Sequence, residues 1–160
     1  MKILSFGEPI LINYLDSGKL SNNSKSIFDL GGSEIRTLVS LSNLGNSTYL
    51  LSVFPCNELS NEFIDVLKDN KINTDLLIKS EDELIGSVYV KNRKYYYQND
   101  YSAFSKINVI SINFTKIFQH NYDWIHLTGV SALISSNTKI IFNELIRLGT
   151  DKNIKISFNF

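Results

Sequence analysis

Gly31 and Gly32 separate a strand-like run, 27–30, from a segment in which Ile35, Leu38, Val39, Leu41 and Leu44 recur at helical spacing. Paired glycines at that junction let the backbone approach a ligand closely. They also leave N–H groups of a helix N-terminus free to meet a polar or anionic group. The same pair makes an ordinary tight turn, and the residues alone leave both readings open. The spacing is neither that of a dinucleotide loop nor that of a P-loop. Glu8 closes the first strand-like run and either contacts a ligand or accepts local N–H groups. His126 lies in an apolar run and reads as a core residue rather than a base. Glu81, Asp82 and Glu83 have no ligand spacing and read as a solvated turn. Cys56 is the only cysteine and there are two histidines, so a Cys–His nucleophile has little to build on.

The elements that must position these residues follow from pattern. Short apolar strands are expected at 3–6, 10–15, 48–54, 124–127 and 154–160, and residues 73–79 include a further short strand. Helices are expected at 33–44, ended by Gly45, and from a cap at Asn57 or Ser60 to about residue 71. A third helix is expected at 137–148. Residues 17–26 read as a loop. Residues 84–90 and 93–98 are rich in Val and Tyr and form a hairpin connected by Lys91 and Asn92. Alternation along its second arm puts one of Tyr95 and Tyr96 on a packed face and the other in solvent. Trp124 reads as a core anchor.

Strands alternating with helices predict a mostly parallel α/β sheet flanked by helices. The hairpin falls outside that alternation. It is either an insertion covering a site or an antiparallel edge. The chain stops on an apolar strand with no helix after it, and parallel strands need both faces covered. The pattern therefore predicts a piece of a larger fold, to be completed by further polypeptide or a partner.

With 160 residues and 43% hydrophobic, the chain suits one domain with a real core. Its 16 basic and 16 acidic residues give no electrostatic case for nucleic acid or an anionic membrane surface. No apolar run approaches the roughly 18 residues a membrane helix needs. The single cysteine and the lack of a signal-peptide pattern predict a reduced, cytoplasmic setting.

Taken in order, Gly7-Glu8, the Gly31-Gly32 helix junction, Tyr95-Tyr96-Tyr97 with Ser102-Ala103, the run from Asp123 to Val130, and Ile156 to Phe160 resemble the ribokinase-like (PfkB) carbohydrate kinases. The 2-keto-3-deoxygluconate kinase branch is the nearest match. The resemblance runs over almost the whole chain but only over the N-terminal half of that fold. It implies that residues 1–160 form an incomplete ribokinase-like domain, its sugar-binding half, with a small β lid made by strands at about 10–15 and 84–98.

The resemblance implies an ATP- and Mg²⁺-dependent phosphoryl transfer to a sugar or sugar acid by the complete enzyme. The family's base lies in a Gly-Ala-Gly-Asp-like motif in the C-terminal half, and this sequence contains no Gly-x-Gly-Asp. No catalytic residue and no metal ligand is assigned, and neither ATP nor Mg²⁺ is expected to bind well to this chain alone. The implied substrate-binding positions are Gly31, Gly32, Arg36, Tyr97, Asn99 and Val130. Arg36 stands where the family has a sugar-binding asparagine, Asn99 where it has a lid arginine, and Asn159 where it has an aspartate. The lid tyrosine two residues after Gly86 falls on Val88, and Tyr89 is displaced by one place, which in a strand means the other face. The implied partners are a small sugar or sugar acid, and either a second copy bound through the lid or a complementary C-terminal half. A non-catalytic sugar-binding or dimerisation module is the alternative.

Overall fold

The computed structural model describes residues 1–16, 18, 21–81 and 84–160. The expectations for Asp82 and Glu83, and for positions 17, 19 and 20 of the 17–26 loop, lie outside the described residues. Two sheets share the chain. The larger contains β1 (Lys2–Phe6), β4 (Ser47–Pro55), β5 (Ile72–Asn73), β6 (Leu77–Ser80), β9 (Trp124–Thr128) and β10 (Lys155–Asn159). Its order is β10-β9-β1-β4-β5, with β6 also paired to β4, and every pairing is parallel.

Strand alternation divides the core in two. Leu50 and Phe54 of β4 pack with Ile3 against α1 (Ser33–Asn43) and α2 (Glu58–Asp69), meeting Leu38, Phe63 and Leu67. Leu51 and Val53 point the other way and join Leu4, Phe6, Ile125 and Leu127. That second layer is closed by Phe104, Ile112, Ile117 and Tyr122, by the short α3 (Phe114–Ile117), and by α5 (Ser136–Asp151). Local signals set the helix ends. Asn57 accepts from the Ser60 N–H at the start of α2. At the end of α1, the Asn46 and Gly45 N–H groups bond the Leu41 and Ser42 carbonyls, with Gly45 at φ 82°. A reciprocal Ser135–Thr138 capping box opens α5.

The smaller sheet, the lid, has the order β3-β2-β7-β8, from β2 (Ile10–Leu15), β3 (Ser26–Gly31), β7 (Gly86–Lys91) and β8 (Lys94–Gln98). The strand-then-helix reading around Gly31 holds, with β3 before the glycines and α1 after them, and β3 runs antiparallel to β2 at the edge of the lid. The hairpin is also shorter than expected. Lys91 pairs with Lys94, so the turn is Asn92-Arg93, with φ 50° and 63°. That is the double positive-φ geometry that suits strand twist. Leu84 makes only an isolated bridge to Ser102. The expectation for Tyr95 and Tyr96 fails: both are exposed, as is all of β8, which is the edge strand of the lid.

Candidate functional site

All four connections between core and lid converge beyond the C-terminal end of β1. The chain leaves β1 through Gly7-Glu8-Pro9 and returns from β3 through Gly31-Gly32. It re-enters the lid at Gly86 and leaves it through residues 99–102. Glu8 is buried at their centre. Its carboxylate accepts a short hydrogen bond from the Ser102 hydroxyl and another from the Asn99 amide at 3.2 Å. A Cβ on Gly86 would overlap the same carboxylate. Gly32, at φ 116°, caps α1, and a Cβ there would lie 2.6 Å from the Glu8 carbonyl. Both its backbone angle and this close approach require glycine. Gly31 ends β3, and a Cβ there would meet Ile12 at 2.6 Å. The root of the lid is therefore held by contacts that leave room for no larger residue. Burial pushes the Glu8 carboxyl above its ordinary value, against the Ser102 and Asn99 hydrogen bonds, and the charge of Glu34 pushes it the same way.

Glu34 was absent from the residues singled out in the sequence, yet it is 2% exposed in the first turn of α1. It accepts from the hydroxyls of Thr128 and Ser131, and from that of Ser33 at 3.0 Å. It also occupies the space a Cβ on Gly7 would need. It thus ties α1 to the ends of β1 and β9 and to α4 (Gly129–Leu133). Its signal in the sequence was slight: an acidic residue two places after a glycine pair, with no local partner but Ser33.

His126 lies one strand away. Its Nδ1 is 2.8 Å from the Ser157 hydroxyl, which also accepts from Trp124 Nε1 at 2.8 Å. Its Nε2 is buried without a partner. Burial holds the imidazole below its ordinary range, with Glu34 acting in the opposite sense. It is a half-buried sheet residue, in line with the core reading, and Trp124 packs beside it as a core residue.

The residues implied as substrate-binding are only partly brought together. Gly31, Gly32 and Asn99 meet at the lid root. Asn99 does not stand free toward the lid, since its amide is committed to Glu8. Tyr97 lies opposite Val88 in the lid ladder and is 59% exposed. Tyr89 pairs with Tyr96, so Tyr89 and Tyr97 point to opposite faces. Arg36, one turn into α1, lies 3.5 Å from Asp29 of β3. Val130 is exposed on α4, next to Ser131. Cys56 is exposed in the loop after β4.

The N-termini of α2 and α5 are closed by their own caps. That of α1 opens beside the carboxylates of Glu34 and Glu8, which repel phosphate. Among the described residues no group of three or more His, Cys, Asp or Glu could hold a metal ion. No helix among them is long and apolar enough to cross a membrane.

No protein-family model matches the sequence, and a search of curated proteins finds no match. Solved structures do match. A PfkB family carbohydrate kinase from Listeria grayi superposes with a TM-score of 0.91 at 20% identity, over 100% of this chain and 52% of that one. The 2-dehydro-3-deoxygluconokinase of Thermotoga maritima gives 0.90 at 21% identity, over 99% and 50%. A fructokinase from Xylella fastidiosa solved with bound ATP gives 0.87 at 14% identity, over 99% and 52%. The chain therefore has the ribokinase-like α/β fold of the PfkB carbohydrate kinases and spans about half the length of those it matches.

Proposed function

We propose that this chain is the sugar-binding half of an ATP-dependent carbohydrate kinase, which in complete form phosphorylates a hydroxyl of a sugar or sugar acid such as 2-keto-3-deoxygluconate. The observation that carries this reading is the lid root. Four crossings are pinned to Glu8 at the C-terminal end of a parallel sheet, the edge at which open α/β sheets bind ligands. The matched fold adds the carbohydrate class. In this reading Gly31 and Gly32 bring backbone close to the sugar, and Tyr97 covers it from the lid. Val130 supplies an apolar wall, and Arg36 lies at the rim. Glu8, Ser102 and Asn99 set the angle of the lid and hold no reacting proton. ATP and Mg²⁺ belong to the complete enzyme, and no step through them is derived from this chain's residues.

The test is direct. The purified chain is expected to be stabilised against heat by at least one member of a panel of ketoses, aldoses and sugar acids, because a ligand selective for the folded state raises Tm. It is expected to form no ADP from ATP, Mg²⁺ and any of them. Sugar-dependent ADP formation would overturn the inactivity of the chain alone. A flat Tm across the panel would overturn sugar binding.

A second reading is a non-catalytic sugar-binding or dimerisation module, which the open lid edge favours. Tyr95, Tyr96 and Tyr97 of β8 are all more than half exposed. A second copy pairing there, or a complementary polypeptide covering Phe158 and Leu133 beside β10, would bury apolar surface now in water. Sedimentation of wild type against a Tyr96→Lys variant separates the two: a dimer lost in the variant locates the interface on the lid.

A further inference from the structure

The lid sheet ends in two edge strands, β3 and β8, and an edge strand offers unpaired backbone groups to any extended chain that comes alongside. The two edges differ in chemistry. β8 reads Lys-Tyr-Tyr-Tyr-Gln and has no carboxylate. β3 is also apolar at its surface, with Ile27 72% and Phe28 61% exposed, but it carries Asp29. Phe28 and Leu30 line a cleft with α1 and α2, and by alternation Asp29 starts from the opposite face of the strand. Its carboxylate nevertheless meets the Arg36 guanidinium of α1 at 3.5 Å, while β2 closes the inner side of β3. The Asp29 side chain therefore wraps around the outer edge. There its Oδ1 accepts from the Leu30 N–H at 2.8 Å. In an antiparallel pair alternate residues turn their N–H groups away from the neighbouring strand, so this captured donor is one that an added strand would need.

We propose that Asp29 guards the β3 edge against a second copy of this chain. One carboxylate oxygen occupies an outward backbone donor, and the other holds Arg36 beside the strand. The guard is needed because β3 is self-complementary. Antiparallel pairing of two β3 strands about a two-fold axis would join the lids into one sheet and cover Ile27 and Phe28 of both copies. With Asp29 in place, that pairing breaks the Leu30 cap and strips water from two carboxylates and two guanidinium groups. The guard leaves β8 as the lid edge open to a partner. It rests on the edge geometry alone and is independent of the sugar-binding reading.

The test is sedimentation velocity over a concentration series, with far-UV circular dichroism of each variant. Every protein carries Tyr96→Lys, so that pairing through β8 does not contribute, and this parent sets the baseline. Adding Asp29→Ala is expected to produce reversible self-association with a Kd at least about tenfold below that of the parent. Adding Phe28→Lys as well is expected to restore the parent's behaviour. Asp29→Asn keeps an oxygen that accepts from the Leu30 N–H, and Arg36→Ala leaves the cap untouched, so each is expected to associate more weakly than Asp29→Ala. Association no stronger than the parent's in both Asp29→Ala and Arg36→Ala overturns the guard, and the Arg36→Ala arm decides alone if Asp29→Ala loses its native spectrum. Association that Phe28→Lys leaves unchanged overturns β3 as the pairing edge. Asp29→Asn associating as tightly as Asp29→Ala overturns the role of the Leu30 cap.

Discussion

The parallel core and the lid are stabilised in different ways. The central core strands β1, β4 and β9 are buried on both faces, and their side chains belong to two extensive apolar layers. The lid buries only Ile12, Val88 and Val90 as a cluster and leaves β8 wholly in solvent. A four-stranded sheet with so small a core gains little from burial. Its placement depends instead on the polar and steric contacts at its root, where Glu8 meets Ser102, Asn99, Gly86 and Gly32. The comparison teaches that packing carries the core, whereas a few atoms at the root carry the lid. Four substitutions test it.

The largest effect is expected in the core. Phe54 is fully buried and its ring meets Phe63 edge-on at 5.5 Å. Phe54→Ala should cost about 3–5 kcal/mol, a large fraction of the stability of an ordinary domain, read as a lowered urea midpoint. A loss below 1 kcal/mol would break the division drawn here.

Gly32→Ala should cost about 1–3 kcal/mol through strain at φ 116° and the clash with the Glu8 carbonyl. Its signature is regional. Amides of β2 and β3 should exchange faster while those of β4 keep their protection. Uniform loss of protection would mean that root and core are one cooperative unit.

Glu8→Gln tests the root electrostatically. Burial raises the folded-state pKa of Glu8 above 4.5, so the folded protein holds this proton after the unfolded chain has lost it. Glu8 thus favours the fold at low pH, and this contribution is lost as pH rises through its folded value, by at most about 1.4 kcal/mol per unit. His126 has the opposite sense: its folded pKa lies below 6.5, so stability is lost as pH falls from 6.5. In Glu8→Gln, urea unfolding from pH 4 to 8 should keep the His126 slope and lose the opposing one. An unchanged profile would remove Glu8 from the titration.

The smallest stability effect is expected at Tyr97, in the exposed lid strand. Tyr97→Ala should change stability by no more than about 0.5 kcal/mol, while weakening sugar binding at least about tenfold if the lid covers the ligand. An unchanged Kd would separate the lid from binding.

Local residues settled much of this protein. Helical spacing in 33–44 and 57–71, Gly45 after α1, Asn57 before α2 and the apolar runs of β1, β4 and β9 are consequences of neighbours in sequence, so they are legible without coordinates. The glycine pair was legible as a place of close approach, but not what approached it. Tertiary structure alone decided that β3 belongs to the lid and that Asn99 serves Glu8. It also decided that Glu34 is a buried tie between α1, β9 and α4. The physical reason is separation along the chain. Glu8 and Ser102 are 94 residues apart, as are Glu34 and Thr128. A carboxylate reads as solvated until folding removes its water and supplies the hydroxyls that replace it.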